Sequence, residues 1–417
     1  MSKRFMIFFL IVLGILLAID LYSNKALNLI FEKSTLLTVI KIFNWGVLPF
    51  ALIAITLSTL LVPFSKGSQS IYLVYIFTGI LILFYGPKIL FVIIHLIEDV
   101  INGGWWLIDK LLVDIIKLKE ISNYSRFTFV TKAALAIYIA LFVLFLKGIV
   151  YDRFNYRITK ETIASDKITD EFNDFKIVQL SDIHIGAFYN NEDELEKAIK
   201  KVNALEPDVI LFTGDLVVNL ANELNDFTVL NKLNAKYGVY SILGNHDYGE
   251  YYNWKSEEDE KQNLEDLKIL QKEIGFDLLL NENRIISING DSIAIIGIEN
   301  WGEPPFPQYG NLNEAKRGVE NIPFKILLSH DPTHWDMEVK EKTDIDLTLS
   351  GHTHGMQFGI FTKKLKWSPI HLKYDKWGGL YSENGQHLYV NVGLGSIGYP
   401  GRVGVRPEIT VITLKSK

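Results

Sequence analysis

Long apolar runs in the first 150 residues restrict this chain more than any other feature of its sequence. Four stretches with few charges occupy residues 5–22, 42–64, 71–97 and 129–150. An α-helix needs about 20 apolar residues to cross the hydrocarbon core of a bilayer. Core helices of a soluble protein are the alternative, but these runs are too long for it. We therefore predict about four transmembrane helices in residues 1–150.

Three details of this region bear on that prediction. A signal peptide also begins with basic residues and an apolar run, but no small-residue cleavage site follows the first run. Lys88 lies inside the third run, and a charge at mid-bilayer costs about 3 kcal/mol. We therefore expect Lys88 near an interface or at a helix break. Residues 105–117, with paired Trp at one end, fit either a helix in the headgroup region or a loop helix packed on the spans.

The distribution of charge also changes at about residue 150, where the apolar region ends. The first 150 residues hold 13 Lys and Arg against 7 Asp and Glu, and the rest hold 29 against 41. An acidic domain binds nucleic-acid phosphates poorly, so we expect no nucleic-acid partner. The chain has no Cys, which excludes disulfides and thiolate ligands. Residues 151–174 are polar and mixed in charge, and we predict a linker there, followed by a folded domain at 175–417.

Short apolar segments alternate with helical patterns in the second domain. Gly275 stops one of the helical patterns, and Asn289-Gly290 is a hairpin turn signal. We predict helices at 192–205 and 257–274, a hairpin at 284–297, and late strands at 387–392 and 409–414. This order predicts an α/β fold in which two packed β-sheets are flanked by helices, preceded by the transmembrane region.

Five apolar segments of this domain end in residues that bind metals or protons. The residues at these ends are Asp182 and His184; Asp215; Asn245, His246 and Asp247; His330; and His352 and His354. A single Asp or His at a strand end is more often a turn former, and Gly-Asp is a common turn dipeptide. Five such endings out of five argue against coincidence. Because buried strands build sites at their carboxyl ends, we predict that these side chains form one cluster.

The ligand types in this cluster predict a pair of metal ions. Oxygen and imidazole ligands without sulfur suit Mn²⁺, Fe or Zn²⁺, and we expect Mn²⁺. Two ions about 3.5–4 Å apart clamp the oxygens of an in-line displacement and lower the pKa of a bound water from 15.7 to about 7. The seven candidate ligands, too many for one ion and about right for two, are Asp182, His184, Asp215, Asn245, His330, His352 and His354.

The ordered motifs resemble those of the calcineurin-like metallophosphoesterases over about residues 175–417. The resemblance implies a fold of two β-sheets flanked by helices. It implies a first metal held by Asp182, His184, Asp215 and His354, and a second held by Asp215, Asn245, His330 and His352. It also implies that Asp215 bridges the ions, and that His246, oriented by Asp247, acts beside the leaving-group oxygen.

Residues 393–410 resemble the membrane-associated bacterial branch of this family, which includes phosphodiesterases and UDP-2,3-diacylglucosamine pyrophosphatases. Arg402 and Arg406 are candidate substrate contacts because guanidinium groups match phosphate oxygens; structural ion pairs explain them equally well. By this resemblance we expect a multi-pass protein of a bacterial inner membrane. Basic residues at the end of the last span and after it, such as Lys147 and Arg153, favour a cytoplasmic catalytic domain.

Two aromatic loops bear on the substrate. Residues 301–309 combine aromatic residues with proline, and residues 361–377 mix five Lys with large aromatic residues. Such mixtures favour membrane lipids or a phosphorylated amphiphile as partner, with ordinary surface loops as the alternative. We therefore expect a two-metal hydrolase of a lipid-linked phosphodiester or pyrophosphate, with a metal-bound hydroxide as nucleophile. A tethered hydrolase of soluble phosphoesters and a non-catalytic membrane scaffold are the alternatives.

Overall fold

The structure, a computed structural model, describes residues 3–31, 35–61, 68–116, 128–225, 228–362 and 364–417. The chain forms two compact units. The N-terminal unit comprises Met1–Leu61 and Ile76–Lys147, and the C-terminal unit comprises Val62–Tyr75 and Gly148–Lys417.

Apolar helices dominate the N-terminal part of the chain. They are α1 Lys3–Ile30, α2 Thr35–Leu61, α3 Ser68–Ile116 and α4 Thr128–Val150. Within the described residues, three apolar helical stretches are long enough to cross a membrane, at Leu10–Ile30, Leu73–Leu112 and Thr128–Phe154, and a shorter one lies at Leu37–Phe50. The predicted apolar helices are therefore present, although residues 62–64 of the predicted second span lie outside the described residues.

The structure differs from the sequence prediction at two places in this region. Residues 105–116 do not form a separate helix, because α3 continues through Gly103 and Gly104. Lys88 does not lie at a helix break. It is 2% exposed inside α3, and its Nζ is 2.7 Å from Asp20 Oδ1. A buried carboxylate of α1 thus compensates this charge within the helices, and a position of Lys88 near an interface stays a prediction.

Two six-stranded mixed sheets form the framework of the C-terminal unit. The strands in chain order are β1 Arg157–Ser165, β2 Lys176–Leu180, β3 Val209–Phe212, β4 Val239–Ser241, β5 Phe276–Leu278, β6 Glu282–Ile288, β7 Asp291–Gly297, β8 Phe324–Leu328, β9 Leu347–Ser350, β10 Ile360–Phe361, β11 Lys366–Trp367, β12 Gly379–Glu383, β13 Gln386–Val390 and β14 Glu408–Ser416. One sheet has the order β1-β14-β2-β3-β4-β5, and the other has the order β12-β13-β9-β8-β7-β6. In the first sheet β2 to β5 are parallel, and in the second β7, β8, β9 and β13 are parallel.

Alternating side chains of the central strands build two cores. Ile177 and Leu211 pack with Ile326 of the second sheet, so one core lies between the sheets. Val178 and Ile210, one position along, pack on the other face. Because both faces are buried, these strands appear in the sequence as continuous apolar runs. The helices of this unit are α5 Glu192–Asn203, α6 Glu257–Glu273 and α7 Leu312–Ala315. The predicted α/β fold of two sheets with helices is confirmed.

The folded domain begins before residue 175. Residues 157–165, predicted as part of a linker, form β1 and pair in parallel with β14 over nine residues. The strand lies at the edge of its sheet, and its charged side chains hide the apolar alternation that marks a strand. Charges on an edge strand protect it from pairing with other chains, so the composition that indicated a linker has a structural role.

Candidate metal centre

The ends of five parallel strands carry the candidate ligands. β2, β3 and β4 run side by side in one sheet, and β8 and β9 run side by side in the other. The loops that follow these strands hold seven side chains, none more than 9% exposed: Asp182, His184, Asp215, Asn245, His330, His352 and His354. Burial of so many ionisable groups is costly unless they are paired or bind metals.

Asp182, His184 and His354 form one group of donor atoms. Nε2 of His184 and Nε2 of His354 are 3.0 Å apart, and Nε2 of His354 is 3.2 Å from Asp182 Oδ1. Nδ1 of His184 lies 3.1 Å from the carbonyl oxygen of Val217, which accepts its proton and leaves Nε2 for the group. Donors about 2.1 Å from an ion lie roughly 3.0–3.4 Å from one another. The spacing therefore fits a bound cation.

Asp215, His330 and His352 form the second group. Nε2 of His330 is 3.2 Å from Asp215 Oδ2, and it is buried without a hydrogen bond to any described residue. The same carboxylate oxygen is 3.6 Å from Nε2 of His184 in the first group. Asp215 Oδ2 therefore lies between the two groups, which is the place that the predicted bridge requires.

Asn245 joins the second group through His352. Its Oδ1 is 2.9 Å from His352 Nδ1, and its Nδ2 donates to the Tyr251 hydroxyl at 3.0 Å. The seven predicted ligands are thus brought together from both sheets. Their individual coordination of ions stays a prediction.

The backbone at the site is held in a strained conformation. Five of the predicted ligands have a left-handed φ, namely Asp182 at 51°, His184 at 45°, Asp215 at 59°, His352 at 71° and His354 at 50°. Such residues cost of order 1–3 kcal/mol each and cluster at active sites and ligand clamps. The surrounding fold must therefore fix these loops against their local preference.

Two glycines let the carboxylates lie against the backbone. A Cβ at Gly244 would be 2.2 Å from Asp215 Oδ1, and a Cβ at Gly351 would be 2.2 Å from Asp182 Oδ2. Both distances are far below van der Waals contact. The Gly residues of the Gly244-Asn245 and Gly351-His352 motifs are therefore required by the position of the ligands themselves.

Burial and neighbouring charges give the imidazoles different protonation states. Burial lowers the pKa of His184 to about 3. Burial also opposes the charge of His330, but the Asp215 carboxylate raises the pKa of that imidazole to about 10. Burial alone would raise the pKa of Asp182 and Asp215, yet the nearby imidazoles hold both below their usual range. At pH 7 His184 is neutral and ready to bind a cation, whereas His330 must first lose a proton.

Val218, rather than Asp247, orients His246. His246 Nδ1 donates to the carbonyl oxygen of Val218 at 2.8 Å. The buried Asp247 carboxylate accepts hydrogen bonds from four backbone N–H groups, those of Asp215, Leu216, Val217 and Gly244. The orienting role predicted for Asp247 is therefore wrong. This residue instead fixes the loop that carries Asp215.

Neither candidate arginine lines the cavity at the site. Arg402 is 0% exposed; its Nε and Nη2 donate to Gly395 O at 2.9 and 2.6 Å, and Nη2 lies 3.3 Å from His354 Nδ1. A fully buried guanidinium cannot touch a substrate, so the prediction for Arg402 is wrong, and this residue supports the loop behind His354. Arg406 donates to the main-chain and side-chain oxygens of Asn155, so its predicted substrate contact has no support here.

Aromatic residues that were not predicted as site residues form the rim. The Tyr374 hydroxyl is 2.9 Å from His352 Nε2, and the Phe306 ring packs edge-on against His352 at 4.8 Å between centroids. Tyr251 packs against His246 at 4.7 Å. The cavity has a volume of about 230 Å³ and is lined by Asp215, Asn245, His246, Tyr251, Phe306, His352, His354 and Ile397. The two aromatic loops noted in the sequence supply Phe306 and Tyr374. The aromatic composition of these loops was the sequence feature that could have identified them as part of the site.

Comparison with known protein families accounts for both parts of the chain. Residues 175–356 match the calcineurin-like phosphoesterases. Residues 3–153 match a second family, described as the transmembrane domain of a probable calcineurin-like phosphoesterase. Together the two matches extend from the first described helix to the loop that holds the last predicted ligand.

Curated relatives show the same similarity. The chain is 36% identical over 267 residues to the uncharacterized metallophosphoesterase YkuE of Bacillus subtilis (strain 168), covering 62% of this chain and 85% of the relative. It is 33% identical over 248 residues to the uncharacterized metallophosphoesterase Cj0846 of Campylobacter jejuni, covering 58% and 60%. It is 30% identical over 272 residues to a transmembrane protein with metallophosphoesterase domain of Bos taurus, covering 62% and 57%. The matches to the latter two thus span less than two thirds of their length. The chain belongs to the calcineurin-like phosphoesterases, as a membrane protein that is a metal-dependent hydrolase of phosphoesters.

Proposed function

We propose that the protein hydrolyses a phosphodiester or pyrophosphate of a lipid-linked substrate with two divalent metal ions. The observation that carries this proposal is the meeting of two buried donor groups at one oxygen, Asp215 Oδ2. We propose Mn²⁺ as the ion, and Fe or Zn²⁺ also suits these ligands. When bound, the ions supply an activated water and positive charge for the phosphoryl oxygens.

The residues of the chain divide the tasks at the site. Asp182, His184, His354 and Asp215 would hold the first ion, and Asp215, Asn245, His330 and His352 would hold the second. His246 would serve the leaving group, because its ring is fixed through Nδ1 by Val218 and it is partly exposed in the cavity. A positioned imidazole contributes about 10²–10⁴-fold to proton transfer.

The lining of the cavity supports an amphiphilic substrate. Polar ligands form its floor, whereas Tyr251, Phe306 and Ile397 contribute apolar surface. A phosphate group fits the floor, and an apolar or sugar-linked tail fits the aromatic surface beside it. The apolar helices of the same chain anchor the enzyme in a membrane, which supports a lipid-linked phosphate as the substrate.

Turnover of matched substrates by the purified, metal-loaded, full-length protein tests this proposal. The panel pairs lipid phosphodiesters and pyrophosphates in bilayers with a soluble aryl phosphodiester and nucleotide sugars. We expect kcat/KM for at least one amphiphile to exceed that for every soluble substrate by about tenfold or more. Faster cleavage of a soluble phosphodiester than of any amphiphile would contradict the lipid assignment and favour a tethered hydrolase of soluble phosphoesters.

A further inference from the structure

An exposed apolar surface lies on the segment that follows the last metal-ligand motif. Residues 356–376, hereafter the hairpin segment, hold five of the twelve large apolar side chains that are exposed in the described part of residues 151–417. These five are Met356 (56% exposed), Ile360 (45%), Leu365 (55%), Trp367 (52%) and Leu372 (93%). Exposed apolar groups collected in one place indicate an interaction surface.

The geometry of the hairpin segment keeps these side chains outside. β10 and β11 pair antiparallel, and Ile360 lies opposite Trp367. Cross-strand partners share one face of a hairpin, about 5 Å apart, so these two side chains form one exposed pair. Phe361, on the other face, is buried in an aromatic cluster below the hairpin. The turn Pro369–Leu372 then ends at the most exposed apolar side chain of the unit.

The hairpin segment is fixed directly to the metal centre. Ser368 Oγ donates at 2.7 Å to the carbonyl oxygen of Gly355, the residue after the ligand His354. Further along, the Tyr374 hydroxyl lies 2.9 Å from Nε2 of the ligand His352. A partner that binds the exposed pair Ile360 and Trp367 is therefore held next to the cavity that the ligands line.

The charge of the hairpin segment selects its partner. It carries five Lys and one Asp, although residues 151–417 as a whole are acidic. Three of these Lys side chains are seen exposed, namely Lys364, Lys366 and Lys373. Lysines interleaved with Trp and aliphatic residues are the combination that binds the headgroup layer of an anionic bilayer.

A bilayer is also within reach of this domain through the chain itself. Helix α4 ends at Val150, and β1 begins at Arg157. The six residues between them span at most about 20 Å when fully extended. A short connection therefore joins the catalytic domain to a membrane helix. This favours a lipid surface over a diffusing protein as the partner of the hairpin segment.

We propose that the hairpin segment inserts Ile360, Trp367 and Leu372 into the headgroup layer of an anionic bilayer. Insertion presents the adjoining cavity to phosphates of lipids in that layer. This inference rests on the proposed lipid-linked substrate, and it adds the surface through which that substrate is reached.

A single label measures insertion directly, because the natural chain has no Cys. L372C in the full-length protein is labelled with an environment-sensitive fluorophore and reconstituted in vesicles of phosphatidylcholine and phosphatidylglycerol. I269C, on helix α6 and 55% exposed, is the matched control. We expect lipid-attached quenchers to suppress the L372C label and aqueous iodide to suppress the I269C label. Iodide quenching of both labels to the same extent would overturn the proposal, and so would an L372C label shielded from iodide but unaffected by lipid quenchers, which indicates a protein partner.

Activity separates failure of this inference from failure of the proposed function. The double variant W367S/L372S should lose about tenfold or more of kcat/KM on a bilayer-presented phosphodiester and stay within about twofold on a soluble aryl phosphodiester. I269S/I285S, at exposed positions on other elements, should change neither value. An equal loss on both substrates would contradict docking. If the wild-type protein prefers the soluble substrate while the L372C label is still quenched by lipid, the substrate assignment fails and insertion stands.

Discussion

Carboxylates are buried in both units of the molecule, but they are compensated in opposite ways. In the N-terminal unit, Asp20 is 0% exposed, and its two oxygens meet Lys88 Nζ at 2.7 Å and the Tyr85 hydroxyl at 2.9 Å. In the C-terminal unit, Asp182 and Asp215 are buried as deeply, yet they face imidazole nitrogens at 3.2 Å. Asp20 is compensated by a lysine and a tyrosine, whereas Asp182 and Asp215 lie among side chains that could hold a cation.

This difference separates structural charges from functional ones. A buried ion pair costs the desolvation of both partners, and its benefit is that neither charge needs a ligand. At the metal centre the cost is larger, because two carboxylates share one buried cluster and five ligands have left-handed backbone conformations. Such an arrangement is explained when a divalent cation completes it. Substitutions in the two clusters should therefore have different consequences.

The largest effect is expected from Asp215→Asn, because the carboxylate lies between both groups of ligands. Its loss removes the charge that both ions would share, and we expect kcat/KM to fall by about 10³ or more together with most of the bound metal. Metal content per chain and turnover are measured side by side. Asp266→Asn, on an exposed face of α6, is the control and should change neither. A D215N protein that keeps two metals and its activity would refute the bridging role.

His246→Ala should lower the rate without loss of metal, because this imidazole is held by Val218 rather than by the ligand groups. We expect kcat to fall by about 10²–10⁴ while the metal content stays at that of the wild type. His387→Ala, at a half-buried position on β13 away from the site, is the control. Release of a metal ion from the H246A protein would show that His246 is itself a ligand.

Lys88→Ala tests the other side of the comparison. Removing the lysine leaves Asp20 buried without its cation, which costs about 3–5 kcal/mol for a broken buried pair. We expect a lower midpoint of thermal unfolding in lipid nanodiscs and unchanged metal content in the folded fraction. The double variant D20L/K88M removes both charges and should recover most of the lost stability. Loss of metal in K88A at unchanged stability would contradict the structural role of this pair.

The smallest effect concerns His334, a buried imidazole outside both clusters. Burial lowers its pKa to about 4, despite the nearby Glu338 carboxylate. In the unfolded chain a histidine has a pKa of about 6.5. As the pH falls from about 6.5 towards 4, the unfolded state binds a proton that the folded state refuses, so the free energy of unfolding falls by up to roughly 3 kcal/mol. Denaturant unfolding at several pH values should show this slope in the wild-type protein and a flatter one in H334N. Identical slopes would contradict a neutral buried His334.

The cluster of candidate ligands was predictable because metal-binding residue types directly follow apolar strands. Parallel neighbours in each sheet bring these ends together. The strand pattern therefore predicted both which residue types meet and that they lie close to one another. Strand β1 was missed since its charged residues occupy an edge and its partner, β14, lies some 250 positions later in the chain. The pairing of Lys88 was missed for a similar reason, because its partner Asp20 is 68 positions away.

Other features of the site leave no mark in the sequence. Val218 orients His246 through a carbonyl oxygen, which every residue possesses, so its role is set by the path of the loop alone. Arg402 was predicted to bind phosphate, yet it donates to backbone carbonyls inside the fold. A guanidinium can bind a phosphate or donate to backbone carbonyl oxygens equally well. The sequence alone therefore does not distinguish the two roles.

The number and position of the bound metal ions test the central claim most directly. The full-length protein is loaded with Mn²⁺, and anomalous scattering locates the ions in crystals. We predict two peaks per chain, about 3.5–4 Å apart, one beside Asp182, His184 and His354 and the other beside His330 and His352, with Asp215 between them. A single peak, or ions bound away from these side chains, would contradict a two-metal phosphoesterase site.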